Sequence, residues 1–144
     1  MNLNRIRDLA IAKTKYSFLS DIKEGINYSK WVEYINNHSD YFIWLEDTEE
    51  GKETLANIDK VPDWAREGTL SSLNKNRCYA EFNNKKGYYN IVVTNYDQKI
   101  GISFEKKVTK QDLIRFLDMA NYLDAYLLNN RTEIIDEKVI ESLE

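Results

Sequence analysis

Between Asp40 and Glu53 the chain sets six carboxylates (Asp40, Glu46, Asp47, Glu49, Glu50 and Glu53) against one cation, Lys52. Carboxylates packed this densely can move protons, hold a hard cation, or attract a basic partner. Asp47, Glu49, Glu50 and Glu53 have the oxygen chemistry for a hard cation but lack the ligand spacing of a calcium loop. Proton transfer needs a pocket that shifts a pKa, and acid-rich runs contain carboxylate pairs whether or not one exists. His38 is the only histidine and lies among Asn36, Asn37, Ser39 and Asp40, the surroundings of an exposed turn. Cys78 is the only cysteine, so the chain forms no internal disulfide. It alternates with Ala80 and Phe82, which predicts a buried structural thiol. A dyad of Cys78 and His38 would require the fold to join a strand residue to a turn residue. The five glycines are isolated, and there is no HExxH, CxxC or GxSxG. No catalytic residue, metal site or cofactor is assigned, and an enzyme is not expected.

A second constellation is basic and aromatic. Tyr79, Tyr88 and Tyr89 stand near Arg77, Lys85, Lys86 and Lys99. Rings on a sheet among cations can stack bases and hold phosphates. Lys86-Gly87-Tyr88-Tyr89-Asn90-Ile91 faintly echoes an RNA-recognition sheet motif. The plain alternative is that lysines flank hairpin turns for solubility and edge protection, and the acidic runs on either side would repel nucleic acid.

The elements that must position these residues follow from period and punctuation. Residues 77–104 read as three antiparallel strands: Cys78 to Phe82, Tyr88 to Thr94, and a third with Ile100, Ile102 and Phe104 on one face. Asn83-Asn84-Lys85-Lys86-Gly87 and Asn95-Tyr96-Asp97-Gln98 supply the turns. Before the meander, Ile6, Leu9, Ala12, Tyr16, Leu19, Ile22 and Ile26 recur at helical spacing and predict an amphipathic helix over 3–26. A second helix is expected from Ser29 to Asn37 with Trp31 and Ile35 buried. Tyr41 to Leu45 is a strand or a helical turn, since period cannot separate them over five residues. Residues 54–73 read as a surface excursion with a short helix from Asp63 to Leu73, weakened by Gly68 and anchored by Trp64. After the meander, Thr109-Lys110-Gln111-Asp112 forms a capping box. The stripe Leu113, Phe116, Leu117, Ala120, Leu123 and Leu127 then predicts a long helix over 110–129. An edge strand near 132–135 and a closing helix capped by Asp136 complete the chain. The fold class is α+β: a three- to four-stranded antiparallel meander covered by N-terminal helices and the long helix, in a single domain of residues 1–144.

Charge is blocky. Residues 1–30 carry six Lys or Arg against three acids, and residues 74–110 carry eight against three. Residues 132–144 carry five acids against Lys138, and the formal net charge is -4. At 42% apolar and 12% aromatic the chain can bury a core, which excludes disorder along its whole length. No apolar run is long enough for a membrane span, and MNLNRIRDLAIAKTK has no signal-peptide character. The lone cysteine fits a reducing cytoplasm.

The order of motifs adds one more pointer. Tyr41-Phe42-Ile43-Trp44-Leu45-Glu46-Asp47-Thr48 comes first, then Ala80-Glu81-Phe82-Asn83 with its Lys-Lys-Gly turn. Ile100-Gly101-Ile102-Ser103-Phe104, Phe116-Leu117-Asp118-Met119-Ala120-Asn121 and Ile134-Ile135-Asp136-Glu137 follow. This set resembles the small bacterial immunity proteins encoded beside polymorphic or contact-dependent toxins. The resemblance implies a cytoplasmic, non-enzymatic protein that binds one cognate toxin and blocks its active site or an essential surface. A nuclease toxin must offer cations to phosphate, so an acidic surface with aromatic anchors suits its inhibitor. The expected partner-binding residues are Trp44, Glu46, Asp47, Glu49, Glu50, Glu53 and Trp64, although Trp44 and Trp64 would equally suit a core. Two rivals stay open: a nucleic-acid-binding module using the basic meander, and an enzyme assembled from scattered carboxylates and tyrosines.

Overall fold

A computed structural model describes residues 2–143. Its helices are α1 (Tyr28–Asn37), α2 (Glu49–Ala56), α3 (Asp63–Ser72), α4 (Lys110–Tyr122) and α5 (Glu137–Glu141). Its strands are β1 (Leu9–Ala12), β2 (Phe42–Trp44), β3 (Arg77–Asn83), β4 (Tyr88–Asn95), β5 (Lys99–Phe104), β6 (Tyr126–Asn129) and β7 (Glu133–Ile134). The class is α+β, and the sheet is larger than the expected meander. Seven strands pair antiparallel in the order β2-β3-β4-β5-β1-β6-β7.

The meander forms at the expected turns, with one departure from its alternation at Phe82. The N-terminal helix does not. In its place Leu9-Ala10-Ile11-Ala12 inserts between β5 and β6 as an inner strand. All four residues are buried, so the run is apolar on both faces and has no alternation to advertise a strand. Leu9 and Ile11 join the main core, with Trp31, Tyr34 and Ile35 from α1 and Leu113, Phe116 and Met119 from α4. Ala12 points into a smaller core with Tyr16, Ile22 and Leu128. The main core covers one sheet face with α1, α4 and α5. The smaller one covers part of the other face with the irregular segment 13–26, which Tyr16 and Ile26 tie down by donating backbone N–H bonds to Arg131 and Asp97. The spacing that suggested a helix over 3–26 belongs to side chains buried from a strand and a loop; Leu19 is exposed.

The ambiguous run 41–45 resolves as β2, paired to β3 with Trp44 opposite Cys78. The long helix is shorter than the expected 110–129. It starts at its capping box, where Thr109 accepts from the Asp112 amide (3.1 Å) and Asp112 from the Thr109 amide (2.9 Å). It stops at Tyr122 because Asp124 adopts the left-handed conformation (φ 54°) and Ala125 donates back to the Ala120 carbonyl. Lys13, from beyond β1, caps this end by donating to the carbonyls of Leu123 and Asp124, both at 3.0 Å. The stop signal is therefore tertiary, and Leu127 keeps the helical spacing while belonging to β6. The edge strand appears as β7, and Asp136 caps α5 by accepting from the Val139 amide.

Candidate functional site

The site begins with how α2 is held. Thr48 accepts from the Gly51 amide at 3.0 Å and donates its hydroxyl to the Leu45 carbonyl at 2.6 Å, capping the helix and bending the chain out of β2. Gly51 has to be glycine: a Cβ there would lie 1.8 Å from the Leu45 oxygen. This contact seats the first turn of α2 beside the sheet face that α1 and α4 do not cover. Glu49, Glu50 and Glu53 then line one wall of a cleft of about 850 Å³.

The opposite wall is aromatic. Tyr79, Phe82, Tyr88, Tyr89 and Val92 line it, with Glu105 at its end. Tyr79 and Tyr89 stack with centroids 5.2 Å apart and planes at 25°. Phe82 meets Tyr89 edge-on at 5.0 Å. The position of Phe82 corrects the sequence reading, which put it on the core face with Cys78 and Ala80. Glu81 sits at φ 59°, a left-handed conformation for a non-glycine residue inside a strand. That residue reverses the alternation without shifting register, since Ala80 still pairs Ile91 and Phe82 still pairs Tyr89. Phe82 is left 49% exposed in the cleft.

What holds Glu81 in that conformation is a polar cluster on the helix side. Its carboxylate takes the Lys106 ammonium at 3.0 Å and the Tyr41 hydroxyl at 2.5 Å. Lys106 also pairs with the buried Asp112 at 2.9 Å. The Arg115 guanidinium lies 3.6 Å from the Tyr41 ring centroid. Burial works against the Lys106 charge, but hydrogen bonds to Asp112 and Glu81 outweigh it and hold its pKa above the ordinary value. Burial, then the bond to Glu81, raises the Tyr41 phenol; burial, then the 2.8 Å bond to Asp118, raises Tyr34. Both phenols lose protons later in the folded chain than in the unfolded one. Their contribution is therefore complete below the ordinary tyrosine value of 10.0 and is lost as pH rises above it. The urea midpoint should fall as the pH rises above 10.0, and the fall should be shallower in a Tyr34→Phe, Tyr41→Phe double variant. An equal fall in both proteins would show that these phenols are not the groups responsible.

The residues expected to bind a partner divide. Glu49, Glu50 and Glu53 come together at the cleft. Glu46 turns away, half-buried, and accepts from the Lys75 amide at 2.6 Å. Asp47 is exposed in a 3-10 turn outside the cleft lining. Trp44 is a core ring: it is buried, meets Trp31 edge-on at 5.3 Å, and donates its indole N–H to Asn36. Trp64 anchors nothing, being 88% exposed on α3, a helix with no buried residue. Of the rings on the aromatic wall, Tyr79, Tyr88 and Tyr89 were legible as a group, although with lysines as their expected company. Phe82 was misplaced by the Glu81 reversal, and no signal in the sequence links Glu105 to α2.

The two groups weighed for catalysis have structural company. His38 closes α1, stacked 4.0 Å from the Tyr34 ring, with Nδ1 2.7 Å from the Tyr34 carbonyl. Cys78 is fully buried, and burial pushes its thiol up, which leaves it a poor nucleophile. Among the described residues no group of three or more His, Cys, Asp or Glu is arranged to hold a metal ion. No helix among them is long and apolar enough to cross a membrane. Comparison of the chain with protein-family models, with curated proteins and with solved structures finds no match.

Proposed function

We propose that this protein is a non-enzymatic protein–protein inhibitor, an immunity protein that binds and neutralises a cognate bacterial toxin. The observation that carries the reading is the open half of the sheet. Over β1 and β6 the segment 13–26 covers the outer face, whereas over β3 and β4 the same face ends in aromatic rings, Phe82 and Tyr88 exposed and Tyr79 and Tyr89 half-buried, beside the carboxylates of α2. Exposed rings with a charged rim are the chemistry of a protein interface: aromatics supply anchors, and charge supplies steering and register. A cationic toxin surface, such as one built to grip phosphate, is the complement of this wall.

The nucleic-acid reading is weaker on the same grounds. A base stacked on Tyr79 and Tyr89 would hold its phosphates among Glu49, Glu50, Glu53 and Glu105. The enzyme reading has no nucleophile and base set side by side in the cleft to stand on.

A toxin gene beside the coding sequence supplies the test. Its product should kill cells lacking this protein and spare cells that express it. The variant Glu49→Lys, Glu50→Lys, Glu53→Lys should stay folded and weaken toxin binding at least about a hundredfold, because juxtaposed like charges cost several kcal/mol. A folded triple variant that binds and protects as well as the parent would remove α2 from the interface. Failure to relieve killing by any neighbouring gene product would remove the function.

A further inference from the structure

Several other rings, the cleft's own Tyr88 among them, have one of the chain's cations over them. Lys99 lies over Tyr16 and Tyr96 at 5.6 and 5.5 Å, Lys86 over Tyr88 at 5.8 Å, and Arg115 over Tyr41. Among the described residues no cation stands over Tyr79, Phe82 or Tyr89. The ion pairs go elsewhere too, to Asp63, Glu81 and Asp112. Glu49, Glu50, Glu53 and Glu105 take part in none of them, and no Lys or Arg lines the cleft. Four carboxylates, the half-buried Tyr79 and Tyr89 and the exposed Phe82 thus share one concavity, and the cation beside it, Lys86, is spent on Tyr88.

We infer that this cleft receives an arginine or lysine side chain from a basic segment of the partner protein, seated on the Tyr79–Tyr89 stack. The inference rests on the inhibitor reading above and deepens it by assigning the partner's chemistry. A cation over an aromatic face is held by the ring quadrupole, and neighbouring carboxylates take up its remaining N–H donors. Arginine fits better than lysine. Its planar guanidinium can lie flat on one Tyr ring while its edge donates to Glu49 or Glu53, whereas an ammonium satisfies one demand at the cost of the other. Phe82, edge-on to Tyr89, walls the stack on one side. At about 850 Å³ the cleft has room for more than one side chain, which suits a segment of chain and not a lone residue.

The test is titration of the isotope-labelled protein with a hexa-arginine peptide, followed by amide shifts in NMR. Hexa-lysine, hexa-glutamate and a single-stranded oligonucleotide serve as separate arms. Hexa-arginine should move the amides of Tyr79, Gly87, Tyr89 and Val92, hexa-lysine should do so more weakly, and the other two should leave them in place. Tyr89→Leu, which keeps every charge, should weaken hexa-arginine about threefold to fivefold, the usual strength of an exposed cation–π contact. Should Tyr89→Leu disturb the spectrum at large, Glu49→Gln, Glu53→Gln on the surface of α2 provides an independent second variant with the same expected direction. Cleft amides unmoved by hexa-arginine would overturn the inference. So would equal affinity in both variants, or an oligonucleotide that moves the same amides. A protein that protects cells from its toxin yet ignores hexa-arginine would keep the inhibitor reading and lose this one. A protein that binds hexa-arginine through Tyr89 and protects against nothing would do the reverse.

Discussion

Gly51→Ala will loosen α2, although alanine is ordinarily the better helix former by about 1 kcal/mol. The added methyl carbon would sit 1.8 Å from the Leu45 carbonyl oxygen, and a backbone atom cannot swing aside as a side chain can. The first turn must lift away, and Thr48 loses its bond to the Gly51 amide with it. Overpacking of this kind costs about 1–3 kcal/mol, more where the obstacle is main chain. Because α2 buries little beyond Gly51, the loss should appear as local opening and not as global unfolding. Hydrogen exchange at residues 49–56 should quicken while β3 and β4 stay protected, and binding of the proposed partner should fall with it. Gly68 in α3 is the internal control. Nothing lies within 4 Å of a Cβ placed there, so Gly68→Ala should stabilise by about 0.5–1 kcal/mol. Unchanged exchange in Gly51→Ala would mean that α2 is not seated through its glycine.

Phe116→Ala will remove the ring at the centre of the main core. Phe116 is fully buried, with its ring centroid 6.2 Å from that of Phe42 and 5.9 Å from that of Phe104, so it joins α4 to β2 and to β5, the last strand of the meander. Truncating a buried Phe costs about 3–5 kcal/mol, a large share of the roughly 5–15 kcal/mol that holds a domain together. The urea midpoint should drop by the corresponding amount with little change of slope. Phe116→Leu, which fills most of the space, should cost about 1 kcal/mol. A near-neutral Phe116→Ala would show that α4 can settle onto the sheet and close the cavity.

What the sequence disclosed follows from how local each cause is. The meander was legible because alternation and Asn/Gly turns act within a few residues. The starts of α4 and α5 were legible because a cap needs only its own first turn, as Thr109 with Asp112 shows. The end of α4 was hidden because its terminal carbonyls are satisfied by Lys13, far away in sequence, at a left-handed Asp where a glycine would have been a visible signal. The strand at 9–12 was hidden because burial on both faces erases period. Of the candidate interface, Glu49, Glu50 and Glu53 were found from density of charge alone. Trp44 and Trp64 were beyond reach for the same physical reason: an indole suits a core and a surface equally, and only the packing of β2 against α1 and the isolation of α3 decide between them. The place of Phe82 on the cleft's far wall depended on one backbone angle at Glu81, which residue type does not encode.

The antiparallel order also has a consequence for how the molecule is made. Residues 9–12 are the sole stitch between two halves of the sheet, bonding to 99–102 on one side and to 126–129 on the other. They leave the ribosome before either neighbour, as a sticky ribbon of Leu, Ala, Ile and Ala with no partner yet synthesised. The hairpins over 77–104 can zip while translation continues, but the seam waits for residues 126–129. Newborn copies therefore carry this ribbon unpaired on at least one side until residues 126–129 emerge, the interval in which a chaperone would find them.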